Sequence, residues 1–258
     1  MNLTDARIVL RQRGRLEIMD LAFRYVLGDA RGPLASLALL SILPVFAAIV
    51  AARVLFDLPW WLVWALALAL GTLVSGIFTV ASGNMLFERT LDVRAVLRDY
   101  RRRFPHFLIA IVSSRLLVAL GSLLVVPGII AWVRHVHVGE AVLLERVPLR
   151  RVFSRSASLS REGGGSAFGL LLAILAMSVL VAIGTETIAL AILEDVLVLP
   201  VKSERFLLDG GSYPALAGFL LSVPWAATSR FLAYIDGRTR QDGWDVQIRL
   251  MALGGGAA

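Results

Sequence analysis

Between Ala131 and Phe153 the chain reads AWVRHVHVGEAVLLERVPLRRVF, and it sets Arg134, His135, His137, Glu140 and Glu145 among valines, leucines and alanines. Two imidazoles, two carboxylates and a guanidinium in one short stretch could bind a metal, relay a proton or pair with charges on neighbouring helices. At about 100° per residue, Arg134, His137, Glu140 and Glu145 share one helical arc of roughly 140°, while His135 points elsewhere. A zinc-protease helix carries its two histidines at i and i+4. Here they are two residues apart, which splays them, and the third histidine, His106, lies near the start of a different apolar stretch. Serine catalysis would draw on Ser113, Ser114 or Ser122, but no Gly-x-Ser-x-Gly elbow is present. We therefore assign no catalytic residues, no metal ligands and no cofactor. Pairing remains for Arg134 with Glu140, for Arg115 with Glu140 or Glu145, and for Arg230 with Glu186. A transport or proton pathway along the same stripe is the alternative.

Which reading holds depends on the solvent. The chain has 258 residues, 58% of them hydrophobic and 17% charged, with a mean hydropathy of +0.77. Soluble domains carry about 25% charged residues, so this chain has too little polar surface to cover a globule in water. It contains no cysteine, which excludes disulfides and thiolate metal sites. The first thirty residues are charged and lack a continuous apolar core, so the expectation is an uncleaved N-terminus.

About 20 apolar residues are needed to cross a bilayer. Six stretches qualify: about Pro33–Ala52, Trp60–Phe87, Phe104–Val126, Pro127–Glu145, Ser166–Leu193 and Tyr213–Ile235. The third and fourth meet at Val126-Pro127-Gly128, a turn signal. Pro224 should kink the last. Trp60, Trp61 and Trp64 open the second stretch and Trp225 lies in the sixth, where interfacial anchoring is the expected role. Arginine crowds the segments before the first stretch, between the second and third (Arg94, Arg98, Arg101, Arg102, Arg103), after the fourth (Arg146, Arg150, Arg151, Arg155) and after the sixth, while the opposite loops hold only Arg53, Lys202 and Arg205. By the positive-inside rule both termini should be cytoplasmic.

MLFERTLDVRAVLRDYRRRF from Met85 and VLLERVPLRRVFSRSASLSR from Val142 each leave an apolar stretch at Glu-Arg and continue as a basic amphipathic segment, and the N-terminal stretch has the same character. The expected fold is an all-α integral membrane domain: residues 1–32 an N-terminal amphipathic helix, 33–235 a bundle of six transmembrane helices in three hairpins, with elbow helices at about 89–104 and 147–162, and 236–258 a cytoplasmic tail. Such basic helices favour an anionic headgroup layer.

Three stretches resemble a family of bacterial polytopic membrane proteins known as the membrane domain of glycerophosphodiester phosphodiesterases. They are LRQRGRLEIMDLAFRYV with Glu17 and Asp20, the segment from Arg134 through Glu145 to Arg155-Ser156 and Gly163, and AYIDGRTRQDGWD with Tyr234, Asp236, Arg238, Arg240, Gly243 and Asp245. Glu140, His135 and His137 depart from that pattern. The resemblance implies no catalytic domain in this chain. The expected role is a non-enzymatic inner-membrane scaffold or complex subunit, its basic face meeting anionic lipid and a protein partner or a second copy, with no role in nucleic-acid binding. The alternative is a transporter or channel for a small or lipidic solute. Salt bridges from the tail, against Arg155 in particular, should clamp it to the elbows.

Overall fold

The computed structural model describes residues 14–85, 91–161, 164–198 and 204–241, and every regular element among them is helical. Five helices are long and apolar enough to cross a membrane: Arg31–Phe56, Trp60–Met85, Val93–Ser122, Ala167–Val196 and Tyr213–Thr239.

Helix α1 (Arg15–Arg24) buries Ile18 and Ala22 and passes through a π-turn, Tyr25–Asp29, into α2 (Arg31–Phe56). Its inward face packs on the last helix, where Phe23 and Trp225 lie 5.2 Å apart and the Trp225 indole N–H donates to the Met19 carbonyl at 3.4 Å. Trp225, expected as an interfacial anchor, is buried and holds α1 instead. Helix α3 (Trp60–Met85) returns along α2.

The expected second elbow is not separate. Helix α4 runs unbroken from Val93 to Ser122, so Arg94 to Arg103 occupy the first turns of the same helix that continues as the third apolar stretch. Pro105 lies inside it without ending it. Asp92 caps its start by accepting the Arg94 N–H at 2.9 Å. The Tyr100 hydroxyl donates to the Leu73 carbonyl at 2.6 Å and the Arg103 guanidinium to the Leu143 carbonyl, fastening this basic segment to α3 and α6.

The turn after α4 falls at Leu123–Val125, slightly earlier than expected, with Val125 at φ 51°; Pro127 opens α5 (Val126–Arg134). A Cβ on Gly128 would sit 2.5 Å from the Ser122 Cα, so only glycine allows the two helices this close. The fourth apolar stretch is also not one helix. It breaks at His135–His137 and resumes as the six-residue α6 (Val138–Leu143). Breaking a helix at membrane depth strands backbone polar groups, which is tolerated only where protein re-satisfies them. Ser156 does so: its hydroxyl donates to the Arg134 carbonyl at 2.8 Å and accepts the His137 N–H at 3.2 Å.

Ser156 belongs to α7 (Leu149–Arg161), a separate helix over the expected third elbow. Val152, Ser156, Leu159 and Ser160 are buried on one face, which lies against the bundle. Helix α8 (Gly164–Ala191) continues through a second π-turn, Ile192–Val196; a single turn, α9 (Phe206–Asp209), precedes α10 (Tyr213–Leu221) and α11 (Val223–Gln241). The interruption at Ser222 falls just before Pro224, where the kink was expected. Helices α8 and α10 meet at Gly218, whose missing side chain would lie 2.8 Å from the Val181 carbonyl oxygen.

Trp60 and Trp64 fix the loop before α10 instead of serving only as interface anchors. The Trp60 N–H donates to Glu204 at 2.9 Å and that of Trp64 to the Gly210 carbonyl at 2.8 Å. Arg53 pairs with Glu204 and stacks 4.2 Å over the Trp60 ring. Trp61 is 70% exposed.

Candidate functional site

Two polar clusters occupy the bundle. The first centres on Glu145, just past α6. Arg155 of α7 grips the carboxylate with two donors, Nε to Oε2 at 2.8 Å and Nη2 to Oε1 at 2.9 Å. The Tyr234 hydroxyl of α11 donates to Oε1 at 2.7 Å, and Arg238, one turn on, lies 3.3 Å away. Burial acts to raise the Glu145 carboxyl, but the hydrogen bonds from Arg155 and Tyr234 and the charge of Arg238 outweigh it and hold the group below the usual carboxylate range. A fork-to-fork guanidinium–carboxylate pair is directional as well as strong, so the cluster sets the angle of α7 against α11.

The second cluster lies deeper. Glu140 of α6, 2% exposed, faces Arg230 of α11 at 3.8 Å, and Arg230 donates to the Ser75 hydroxyl of α3 at 2.8 Å. Arg115 of α4 and His135 line the same small cavity, about 40 Å³, together with Ser114, Thr72 and Thr79. That is room for one to a few waters. Glu140 thus meets one guanidinium, that of Arg230, while Arg115 stands on the wall of the same cavity. His137 is buried, its ring 6.0 Å from Tyr234, and His135 tilts against Phe153 at 5.1 Å. Among the described residues no group of three or more His, Cys, Asp or Glu could hold a metal.

The structure redistributes the expected pairs. Glu140 meets Arg230 rather than Arg134 or Arg115, and Glu145 meets Arg155 and Arg238. Glu186 is far from Arg230 in role: it accepts the Phe206 N–H at 2.7 Å and anchors α9. Arg134 is exposed. On α1, Asp20 pairs with Arg24 at 2.9 Å on an exposed face, and Glu17 is half-buried. Asp236 is half-buried on α11 between the two residues that reach Glu145, and Arg240 is in the last turn of that helix. Gly163, Gly243, Asp245, and the Glu88-Arg89 half of the internal repeat lie outside the described residues. Sequence reasoning missed Ser75 as a partner of Arg230 and Ser156 as the plug of the helix break; the Arg155-Ser156 pair was the visible signal for the latter.

Three residues from two of the three family-like stretches, Arg155, Tyr234 and Arg238, therefore converge on the Glu145 carboxylate. Compared with family models, curated proteins and solved structures, the chain finds no match. What the fold and sites define is a class: an all-helical, multi-pass membrane protein with a charged knot at one end and a small polar cavity inside.

Proposed function

We propose that this chain is a non-enzymatic scaffold or complex subunit of a bacterial inner membrane, with six passes and both termini cytoplasmic. Its arginine-rich end meets anionic lipid and a protein partner. One observation carries the reading. Arg94, Arg98, Arg101 and Arg102 on the first turns of α4, with Arg146, Arg150 and Arg151 at the start of α7, are all exposed at the end of the bundle that carries the Glu145 knot. Helices that are bolted down present these charges as a fixed array, which suits recognition of an acidic surface better than a mobile tail would. At the opposite end Arg53 is already paired with Glu204. The packing of α5 and α6 on α4 supports a further pass made in two pieces. The likeness to the phosphodiesterase-associated membrane family is part of this proposal, supported by Glu145, Arg155, Tyr234 and Arg238 meeting in space.

The test is purification in mild detergent of the wild type and of a variant with Arg98, Arg102 and Arg150 changed to Glu. The reading expects a stoichiometric partner with the wild type that is lost from the variant while its thermal unfolding is unchanged. Equal recovery of partner from both would overturn it. The polar cavity between α3, α4, α6 and α11 favours a second reading, a pathway for a small anionic solute. Solute-dependent thermal stabilisation that Arg230→Gln abolishes would support that reading instead.

A further inference from the structure

Outside both clusters, an open groove of about 790 Å³ lies between α5, α7 and the start of α8. Its wall is apolar, formed by Ile129, Val133 and Phe168, with Ile129 42% exposed. Its inner rim is polar: Arg134 at the end of α5, and Ser154 and Ser158 one turn apart on α7. The Arg134 guanidinium is exposed and has no hydrogen bond or ion pair among the described residues. The two serine hydroxyls donate only to carbonyls of their own helix, Arg151 and Arg155, each at 2.8 Å. Rotation about the Cβ–Oγ bond can exchange those bonds for an external oxygen. Arg150 and Arg151 stand one turn earlier on α7, both exposed.

We infer that this groove is a specific site for one anionic phospholipid, with its phosphate on Arg134 and the α7 serines and an acyl chain along Ile129, Val133 and Phe168. The argument is one of complementary chemistry along a single axis. An exposed guanidinium with no partner among the described residues calls for phosphate, for which arginine offers two parallel donors. The exposed apolar wall of the same groove calls for hydrocarbon. The volume lies within the roughly 300–1,000 Å³ typical of small-molecule sites, and basic pockets between helices on the cytoplasmic side are where anionic headgroups bind. A free phosphate would satisfy only the rim.

This inference rests on the membrane reading above but not on the partner. Trp132 reports on it, because its ring lies 6.3 Å from that of Phe168. The full chain is reconstituted into vesicles containing either phosphatidylglycerol or phosphatidylcholine with brominated acyl chains, and tryptophan quenching is followed. The part of the quench that Trp132→Phe removes belongs to the groove. That part should show about a tenfold preference for the anionic lipid, the scale of a charge-assisted hydrogen bond. Arg134→Gln should reduce the preference to about onefold, Ala157→Phe, which fills the groove from its α7 side between the two serines, should remove the component for both lipids, and millimolar inorganic phosphate should not compete. The inference fails if Arg134→Gln retains the preference, or if Trp132→Phe removes no quench although the protein is inserted. It also fails in favour of a free-phosphate site if inorganic phosphate competes. Failure of the chain to enter vesicles at all would count against the membrane reading instead.

Discussion

Replacing Glu145 by Gln keeps the shape of the side chain and removes its charge. In the wild type the carboxylate accepts two hydrogen bonds from Arg155 and one from Tyr234, with Arg238 at 3.3 Å. A hydrogen bond to a charged group contributes about 1.5–3 kcal/mol and a neutral one about 0.5–1.5. Neutralising the acceptor of three such bonds therefore removes about 3 kcal/mol before screening. Arg155 and Arg238 retain 23% and 24% side-chain exposure, so water recovers part of this, and about 2–3 kcal/mol remains. For a chain of this size that corresponds to a fall of roughly 5–10 °C in the unfolding midpoint. The assay is thermal unfolding in mild detergent followed by tryptophan fluorescence, for Glu145→Gln, Arg155→Gln and the double variant. If the pair acts as described, the double variant is barely less stable than either single one, with a coupling energy above about 1 kcal/mol. Additive losses, or a Glu145→Gln loss under about 0.5 kcal/mol, would refute the reasoning.

The same carboxylate sets an acid limit. Because its folded pKa is depressed, its contribution is complete at neutral pH and is lost as the pH falls below the ordinary value of 4.5; the stability gap between wild type and Glu145→Gln should close over that acid range, and a gap independent of pH would contradict the assignment. Ser156→Ala leaves the Arg134 carbonyl and the His137 N–H without their partner and should cost about 1–3 kcal/mol, whereas Ser154→Ala, on the exposed face of the same helix, should unfold within about 0.5 kcal/mol of the wild type. Gly218→Val drives a side chain against the Val181 carbonyl oxygen, which cannot rotate away, so a loss of about 1–3 kcal/mol is expected in the same thermal assay.

The residues explain what was legible. Helices α2, α3 and α8 are long, predominantly apolar runs, and a hydropathy argument needs nothing beyond the run itself. Helix α4 misled because the basic segment before Phe104 looks interfacial on its own; only the bonds from Tyr100 and Arg103 to α3 and α6, distant in sequence, stand it upright. The break at His135–His137 was illegible for the same kind of reason. A hydrophobic stretch of that length reads as one helix until Ser156 is known to satisfy the freed backbone. The polar stripe was expected on one arc of one helix, but the break at His135–His137 divides it: Arg134 is exposed, Glu140 is buried in α6 and Glu145 lies past its end. Which arginine meets Glu140 depends on how α11 is rotated against α6, and periodicity within one helix carries no information about that. Glu145 drew notice through its charge and through the family likeness of Arg155, Tyr234 and Arg238; their meeting at one point required the fold.

The central claim is that the chain threads a membrane with its arginine-rich bends together on the cytoplasmic side. Because the chain has no cysteine, single cysteines can be placed without background at Asp57 and Asp209, and at Arg98, Arg150 and Gln241, and treated in intact cells with a membrane-impermeant maleimide. The account predicts labelling at the first two positions before permeabilisation and at the last three only after it. Labelling of Arg98→Cys and Arg150→Cys on opposite sides, or of all five alike in intact cells, would contradict it.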